Sequence, residues 1–371
     1  MANIVNFKGG STSGVSLSGD ALPEEVLEGK TFYSEDSVKK TGTLENVESL
    51  IPYDLVASPA KYQLVAEPEL TNLELRNWAK INVQCTNVSW QDICYGNGKF
   101  VAIAYDHLSL QSVVVSEDGI NWSIASIPIG ANWSSIFYAE GIFVIISYDS
   151  AVMIKSPDAV TWTSGGISST GTWTSLTHNG TKFIAVSDTG EDILYSNDMG
   201  NTWRMTTAMN GKFKAVCYGN GILVAVGIAD FASAAPTIMT STDSMNWTGR
   251  ADPDGESAKW RSICYGMGLF VAVGDLGKIM TSSDGITWTK TVIEATMMFS
   301  SIICANGMFI AITNSGSYNI AYSYNGIDWI YCNVYNANSS FVSLAEGKGR
   351  LIIVKDDEAS AIFFSADFYK V

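Results

Sequence analysis

An all-β fold, a seven-bladed β-propeller of four-stranded antiparallel blades, is predicted by a repeat with three parts. The first part is an aromatic residue that opens each repeat. It recurs from residue 90 onwards at intervals of roughly 40 to 47 residues, the period typical of four-stranded propeller blades. The seven starter aromatics are Trp90, Trp133, Trp173, Phe213, Trp260, Phe299 and Phe341.

The second part is an apolar strand that follows each starter at a constant distance. Its anchor, ten positions after the starter, is Phe100, Phe143, Phe183, Leu223, Phe270, Phe309 or Leu351. The run 270–273 is wholly apolar, which indicates a strand that is covered on both faces. Blade stacking provides this cover, because each sheet lies between its two neighbours.

The third part is a Ser-x-Asp turn that precedes the last strand of a blade and is followed by a tryptophan. In such a turn the aspartate accepts backbone N–H groups, a glycine supplies a positive φ, and the tryptophan packs between blades. The turns begin at Ser116, Ser156, Ser196, Ser241, Ser282 and Ser323, with asparagine in place of aspartate in the last, and their tryptophans are Trp122, Trp162, Trp203, Trp247, Trp288 and Trp329.

The longest of these turns, 196–203, resembles the Asp-box of sialidase-like propellers, and the other turns are one residue shorter. In that family the Asp-box is structural and lies away from the catalytic face, so the resemblance implies a fold and not an activity. Sialidase-like sites also need three converging arginines, whereas Arg204 and Arg261 fall at scaffold positions of this repeat. Gly-rich phosphate loops and G-x-S-x-G elbows are absent from the sequence. We therefore predict no enzyme activity and no catalytic residue.

An N-terminal strand is expected to close the propeller. Residues 76–83 resemble 286–292, and Trp78 precedes Trp90 by twelve positions, as the last tryptophan of one blade precedes the next starter. The last repeat reaches residues 365–371 where its own fourth strand is due. We predict that the strand near Trp78 completes the last blade and removes its open edge, so that the propeller spans 76–371.

Residues 1–75 do not follow the repeat and are predicted to form an attachment or oligomerisation segment. Two short strand patterns, at 30–33 and 40–44, flank a polar turn, but the segment has too little apolar material for a core of its own. The motif 29–33 with 39–43 resembles short modules in tail fibres and other tail proteins of phages and prophages of Gram-positive bacteria. The resemblance implies a homotrimer bound to tail or baseplate proteins, located in the tail of a virion or phage-like particle and extracellular after release.

Composition narrows the possible partners. A net charge of −15 argues against nucleic acid and anionic membranes, which select clustered Lys and Arg. No run of eighteen apolar residues exists, so no membrane insertion is predicted, and the N-terminus lacks a signal-peptide pattern. Six cysteines without a CxxC spacing, with only two histidines, predict buried free thiols and no metal site, as suits a protein made in a reducing cytoplasm.

The loops that follow the second strands carry the candidate ligand-binding residues. Together with the connections between blades, they are expected on the face opposite the Ser-x-Asp turns, and their variation on a fixed scaffold is typical of recognition loops. Carboxylates beside aromatic rings suit sugar hydroxyls and pyranose faces, with Ca²⁺ as a possible hard cation. Alternatively, aspartate simply begins loops well. The candidates are Tyr105, Asp106, His107, Tyr148, Asp149, Asp188, Asp230, Phe231, Asp275 and Asp356.

The predicted function is that of a non-catalytic phage tail receptor-binding protein, whose propeller recognises a bacterial cell-surface glycan in several copies. Two alternatives stay open at this point. One is a glycan-degrading depolymerase or glycosidase on the same propeller, since a pair of carboxylates suffices for glycosidic cleavage. The other is a structural propeller that scaffolds a protein complex.

Overall fold

The computed structural model describes most of residues 89–355 and several short strands outside them. The described ranges are 3–4, 31–33, 39–41, 62–63, 79–82, 89–105, 110–167, 171–189, 192–207, 211–229, 235–253, 255, 259–293, 296–333, 340–355 and 361–365. The chain forms two compact units, Met1–Glu74 and Leu75–Val371.

The described backbone of the first unit forms two small strand pairs. Thr31–Tyr33 pairs antiparallel with Lys39–Thr41, which confirms the hairpin expected there. Asn3–Ile4 pairs in parallel with Tyr62–Gln63. The attachment and trimerisation expected of this segment stay predictions.

The second unit is built of four-stranded antiparallel sheets, and the predicted β-propeller of such blades is confirmed. Six sheets, blades 1 to 6, each consist of four consecutive strands. Their bounds are Ser89–Gly96, Lys99–Tyr105, Val113–Ser116 and Ser123–Ile124 in blade 1; Trp133–Ala139, Ile142–Ser147, Val152–Ser156 and Thr163–Gly166 in blade 2; Trp173–His178, Phe183–Ser187, Asp192–Ser196 and Arg204–Thr207 in blade 3; Lys212–Gly219, Ile222–Ile228, Ile238–Ser241 and Thr248–Gly249 in blade 4; Trp260–Gly266, Leu269–Gly274, Lys278–Ser282 and Thr289–Val292 in blade 5; and Met298–Ala305, Met308–Ser315, Ile320–Ser323 and Ile330–Cys332 in blade 6.

One further four-stranded sheet, the composite sheet, is discontinuous in sequence. It joins Phe341–Gly347, Arg350–Lys355 and Ala361–Ser365 to Ala79–Asn82. The predicted N-terminal strand is therefore present, although Trp78 itself lies outside the described residues. The structure has six blades of consecutive strands and not the seven predicted from the starters. The remaining repeat forms the composite sheet, which takes its fourth strand from residues 79–82 as expected.

The first strands of successive sheets contact one another in a closed cycle, in which the composite sheet touches blade 6 on one side and blade 1 on the other. Each first strand also has a β-bulge between its starter and the residue two positions later. No helix among the described residues is long and apolar enough to cross a membrane.

Apolar contacts between neighbouring sheets form the core. Where blade 1 meets the composite sheet, Trp90 and Phe100 are 0% exposed and pack with Ile352 and Val354. Burial of one such phenylalanine contributes about 1.5–3 kcal/mol relative to leaving it exposed. The starters and second-strand anchors are thus constant along the chain because they fill the space between blades.

Short side chains two positions after the starters link one blade to the next. Three of these residues are serines whose hydroxyl groups each accept a backbone N–H from the following blade, with donor–acceptor distances of 3.2 to 3.3 Å. The bonds run from Leu176 to Ser135, from Val216 to Ser175 and from Ile302 to Ser262. The seams between blades are therefore polar near the innermost strands and apolar further out.

Asp92 occupies this position in blade 1. Its carboxylate accepts the N–H groups of Ile93 at 2.9 Å and Ile136 at 3.0 Å, and the hydroxyls of Ser135 at 3.2 Å and Ser343 at 2.7 Å. Burial raises the pKa of Asp92, and these donors oppose the increase. Through Asp92, blade 1 is bonded both to blade 2 and to the composite sheet.

The described cysteines are free thiols and partly exposed, so they are less buried than predicted. Four of them lie on first strands, where buried residues alternate with partly buried ones: Cys94, Cys217, Cys264 and Cys304. Burial nevertheless raises the pKa of the Cys332 thiol to about 12. A thiol with such a pKa is protonated at neutral pH and is a poor nucleophile.

Candidate functional site

The two ends of the blades form two different faces. The hairpin between the first two strands of a blade forms hydrogen bonds with the Ser-x-Asp turn of the neighbouring blade. Hairpins and Ser-x-Asp turns therefore lie on the same face of the propeller, which we call the turn face. Examples are Asn97 Nδ2 with the Pro157 carbonyl at 3.1 Å and Lys348 Nζ with the Glu117 carbonyl at 2.7 Å. The loops after the second strands and the connections between blades lie at the opposite ends of the strands, on the loop face.

The Ser-x-Asp turns on the turn face satisfy their own backbone. In blade 1, Asp118 Oδ1 accepts the N–H groups of Ile120 and Asn121, both at 2.8 Å. The corresponding backbone hydrogen bonds in blades 2 and 5 lower the pKa of Asp158 and of Asp284 to about 2. These carboxylates therefore serve local structure, as the sequence predicts.

The turn of blade 6 contains a reciprocal exchange of amide and carboxylate. In blade 4, Asp243 Oδ2 accepts a hydrogen bond from Asn246 Nδ2 at 2.7 Å. In blade 6 the corresponding residues are Asn325 and Asp328, and Asn325 Nδ2 donates to Asp328 Oδ2 at 2.9 Å. The hydrogen bond is kept although the two residue types have changed places.

Five of the ten predicted site residues belong to the described part of the structure, and all five lie at the loop ends of second strands. They are Tyr105, Tyr148, Asp149, Asp188 and Asp275. The other five lie outside the described residues, and they are Asp106, His107, Asp230, Phe231 and Asp356.

Tyr105 and Tyr148 form an aromatic pair between blades 1 and 2. Their ring centroids are 6.3 Å apart and the ring planes meet at 66°, an edge-to-face arrangement. The pair is positioned by backbone, because Tyr105 forms a β-bridge with Asn132 and the Tyr148 N–H donates to the Asn132 carbonyl at 2.6 Å. Both rings are half-buried, so each keeps some surface exposed to solvent.

A polar network continues from Tyr148 into blades 3 and 4. The Tyr148 hydroxyl donates to the Asp188 carboxylate, which also accepts hydrogen bonds from Thr172 Oγ1 and Lys214 Nζ. Burial, followed by the negative charge of Asp188, raises the pKa of Tyr148. The ion pair between Asp188 and Lys214 neutralises the charge at this end of the network.

Asp149, the residue after Tyr148, accepts a hydrogen bond from Asn132. Asn132 Nδ2 donates to Asp149 Oδ2 at 2.7 Å, while Asn132 Oδ1 is buried and has no hydrogen-bond partner among the described residues. The structure thus brings four predicted residues into one continuous cluster, the Tyr105–Asp188 cluster: Tyr105, Tyr148, Asp149 and Asp188.

Two polar residues that organise this cluster escaped the sequence analysis. Asn132 directly precedes the starter Trp133, and Lys214 directly follows the starter Phe213. The residues beside a starter vary from repeat to repeat, and that variation is the signal that could have revealed them.

Asp275 is engaged differently. It forms a bidentate ion pair with Arg261 of the same blade, with distances of 2.8 and 2.9 Å. The next residue, Leu276, has a φ of 60° and is 48% exposed, an uncommon conformation for leucine. Arg261 therefore binds a predicted site residue of its own blade, and Asp275, which lies in blade 5, is not part of the Tyr105–Asp188 cluster.

The described residues contain no group of three His, Cys, Asp or Glu side chains that could hold a metal ion. The possible Ca²⁺ site on the loop face therefore gains no support from this part of the chain.

Comparison with known proteins identifies the class of fold. No protein-family model matches the chain, and no curated protein sequence matches it. Among solved structures, the chain is similar to virginiamycin B lyase from Staphylococcus aureus, with a TM-score of 0.66, 12% identity, and coverage of 78% of this chain and 99% of that chain. It is also similar to YCF48 from Cyanidioschyzon merolae, with a TM-score of 0.58, 14% identity, and coverage of 79% of this chain and 99% of that chain.

A third similar structure is the extracellular domain of the one-component system BT4673 from B. thetaiotaomicron, with a TM-score of 0.59, 8% identity, and coverage of 78% of this chain and 40% of that chain. The chain is thus a β-propeller protein. At these identities the likeness concerns the fold alone.

Proposed function

We propose that the protein is a phage tail receptor-binding protein that recognises a bacterial cell-surface glycan through the loop face, without cleaving it. The observation that carries the proposal is the Tyr105–Asp188 cluster. This cluster spans three adjacent blades, and in it the partly exposed rings of two tyrosines lie beside two carboxylates. Aromatic rings stack on pyranose faces and carboxylates accept sugar hydroxyls, so the cluster has the chemistry of a sugar-binding surface.

In this function, the first unit attaches the protein to the tail. Its hairpin, Thr31–Tyr33 with Lys39–Thr41, coincides with the motif that resembles phage tail modules. We infer a homotrimer bound to tail or baseplate proteins, in the tail of a virion or phage-like particle. Three copies of one propeller would strengthen binding to a repetitive glycan by avidity.

A glycan array and a panel of Gram-positive cells, probed with the full chain, test this function. We expect binding to at least one glycan or cell surface without release of reducing ends. Loss of the Tyr148 ring in Tyr148→Ala should weaken binding several-fold to thirtyfold, since a stacked ring contributes about 1–2 kcal/mol. Tyr218→Ala is the matched control, because Tyr218 is an exposed tyrosine near the turn face. Absence of binding to every glycan and every cell would refute the proposal.

The second candidate function is a glycan-cleaving enzyme. It is favoured by Asp149 and Asp188, two carboxylates that act electrostatically on the same tyrosine. Against it, Asp188 is already engaged by Lys214 and Thr172. Release of reducing ends that Asp149→Asn abolishes would place this function first.

A further inference from the structure

Asn132 holds the carboxylate of Asp149 and leaves its own amide oxygen without a hydrogen bond. The residue is 7% exposed, its Nδ2 donates to Asp149 Oδ2 at 2.7 Å, and its Oδ1 has no partner in the part of the chain that the structure describes. The opposite amide orientation would place Oδ1 against the carboxylate, where two acceptors repel. The orientation is therefore determined by Asp149, and the unsatisfied oxygen is its consequence.

A buried acceptor without a donor destabilises the folded protein. Most buried polar groups in native structures are satisfied, so the unsatisfied oxygen reflects a constraint on the orientation of the Asn132 amide. The only hydrogen bond that Asn132 makes with its side chain in the described structure is the one to Asp149. The constraint is therefore the position of the Asp149 carboxylate.

Asp149 differs in its charge balance from Asp188 and Asp275, the other two carboxylates of the predicted site that the structure describes. Asp188 is paired with Lys214 and Asp275 with Arg261. Asp149 is exposed, and no ion pair among the described residues reaches it. Because a carboxylate without a counter-ion can only accept hydrogen bonds, its partner must donate them, as sugar hydroxyls do. A ligand carboxylate or phosphate at this place would meet like charge in the absence of a cation.

We propose that the loop ends of blades 1 and 2 form a subsite for a neutral, hydroxyl-rich pyranose, and that this subsite discriminates against acidic sugars. Asp149 accepts hydroxyl groups of the sugar, the Tyr105–Tyr148 pair provides the stacking surface, and Asn132 is a positioning residue for Asp149. This inference rests on the proposed function and specifies the class of its ligand.

The test uses pairs of sugars that differ only at carbon 6, namely methyl galactoside with methyl galacturonide and methyl glucoside with methyl glucuronide. Binding of each to the full chain is measured by saturation-transfer NMR. We expect the neutral member of at least one pair to bind about tenfold more tightly than its acid. Asp149→Asn should reduce neutral-sugar affinity about tenfold and diminish the preference over the acid, since it removes a charged acceptor.

Two controls separate binding from stability and from net charge. Glu117→Gln makes the same change of charge on the turn face, and it should alter neither affinity nor preference. Asn132→Ala should reduce neutral-sugar affinity several-fold with little change in melting temperature, because it removes an unsatisfied group together with one hydrogen bond. Asn319→Ala, at a buried amide of blade 6, should affect the melting temperature only.

The outcomes distinguish this inference from the function on which it rests. Glycan binding with equal affinity for neutral and acidic sugars, or with no effect of Asp149→Asn, would overturn the neutral subsite and leave the receptor-binding function intact. Absence of binding to all glycans and cells would overturn both.

Discussion

The turn face and the loop face use the same residue types, aspartates near aromatic rings, but bind them in different ways. On the turn face, Asp118, Asp243 and Asp284 each accept two N–H groups from their own turn. On the loop face, Asp149 is bound by a residue 17 positions away and Asp188 by one 26 positions away. Local bonding can be copied from blade to blade, whereas long-range bonding is particular to one place.

The two faces also differ in how far their polar side chains are satisfied. The turn face tolerates change when it is compensated, as Asn325 and Asp328 of blade 6 illustrate. On the loop face, the described residues offer no donor to the buried Asn132 oxygen and no cation to the Asp149 carboxylate. This difference supports the proposed assignment of binding to the loop face.

The largest expected effect concerns the closed cycle of sheets on which both faces depend. Deletion of residues 1–84 removes Ala79–Asn82 and leaves Ala361–Ser365 as an unpaired edge, whereas deletion of 1–74 keeps the strand. We expect the longer deletion to lower the melting temperature by more than about 10 °C, and the shorter to change it by about 2 °C or less. Circular dichroism melts compare the two, and equal melting temperatures would contradict closure by this strand.

The next largest effect lies at a seam near the turn face. A Cβ atom added at Gly219 would lie 2.0 Å from Tyr265 Cγ, so Gly219→Ala forces the ring out of its place. We expect a loss of about 2–3 kcal/mol in the free energy of unfolding, measured with urea, and unchanged glycan binding. Gly166→Ala is the control, because nothing lies within 4 Å of its added Cβ. Similar losses for both variants would show that the seam is not tightly packed.

A single turn aspartate should affect stability, and a loop aspartate should affect binding. Asp243→Ala removes the acceptor of two backbone N–H groups, and we expect a loss of about 1–2 kcal/mol in unfolding free energy with binding intact. Asp149→Asn should change unfolding free energy by about 0.5 kcal/mol or less. If Asp243→Ala abolishes binding in a folded protein and Asp149→Asn has no effect, the functional assignment of the faces is reversed.

The turn face should also be the acid-sensitive one. The folded pKa values of Asp158 and Asp284 are about 2, lower than the ordinary value of 3.8, so their turns stabilise the fold above that ordinary pKa. This contribution declines as the pH falls from about 4 to about 2. We expect the melting temperature to decrease over this window, and less steeply in Asp284→Asn. Parallel pH profiles of the two proteins would contradict the assignment.

The smallest effect is expected from the exchanged pair in blade 6. Asn325→Asp places a second carboxylate beside Asp328, and we expect a loss of about 0.5–1 kcal/mol. Adding Asp328→Asn restores the arrangement of blade 4 and should recover most of that loss. A double-mutant cycle in urea measures the coupling, and additive effects would show that the two side chains do not interact in solution.

Much of the fold could be predicted because each part of the repeat is determined by residues that lie close together in the sequence. The starters, the apolar second strands and the Ser-x-Asp turns are each recognisable within about ten residues. The last repeat is completed by residues 79–82, which lie far away in the sequence. Similarity between 76–83 and 286–292 nevertheless indicated the strand.

The candidate site could be predicted only in part. The position of Tyr148, Asp149 and Asp188 after their second strands follows from the repeat. Their partners Asn132 and Lys214 do not, because each lies beside a starter, and one of them reaches a neighbouring blade. Asp275 had the same sequence context as Asp188, yet Arg261 of its own blade engages it.

The sequence by itself determined the strands, the turns and the ends of the blades at which loops lie, because burial and turn hydrogen bonds act between near neighbours along the chain. Only the tertiary structure decided which loop residues meet. Blades are brought side by side by packing of their apolar surfaces, and that packing places Tyr105 against Tyr148 and Lys214 against Asp188. Side chains contributed by different blades have no fixed spacing in sequence, so their contacts become visible only when the sheets are assembled.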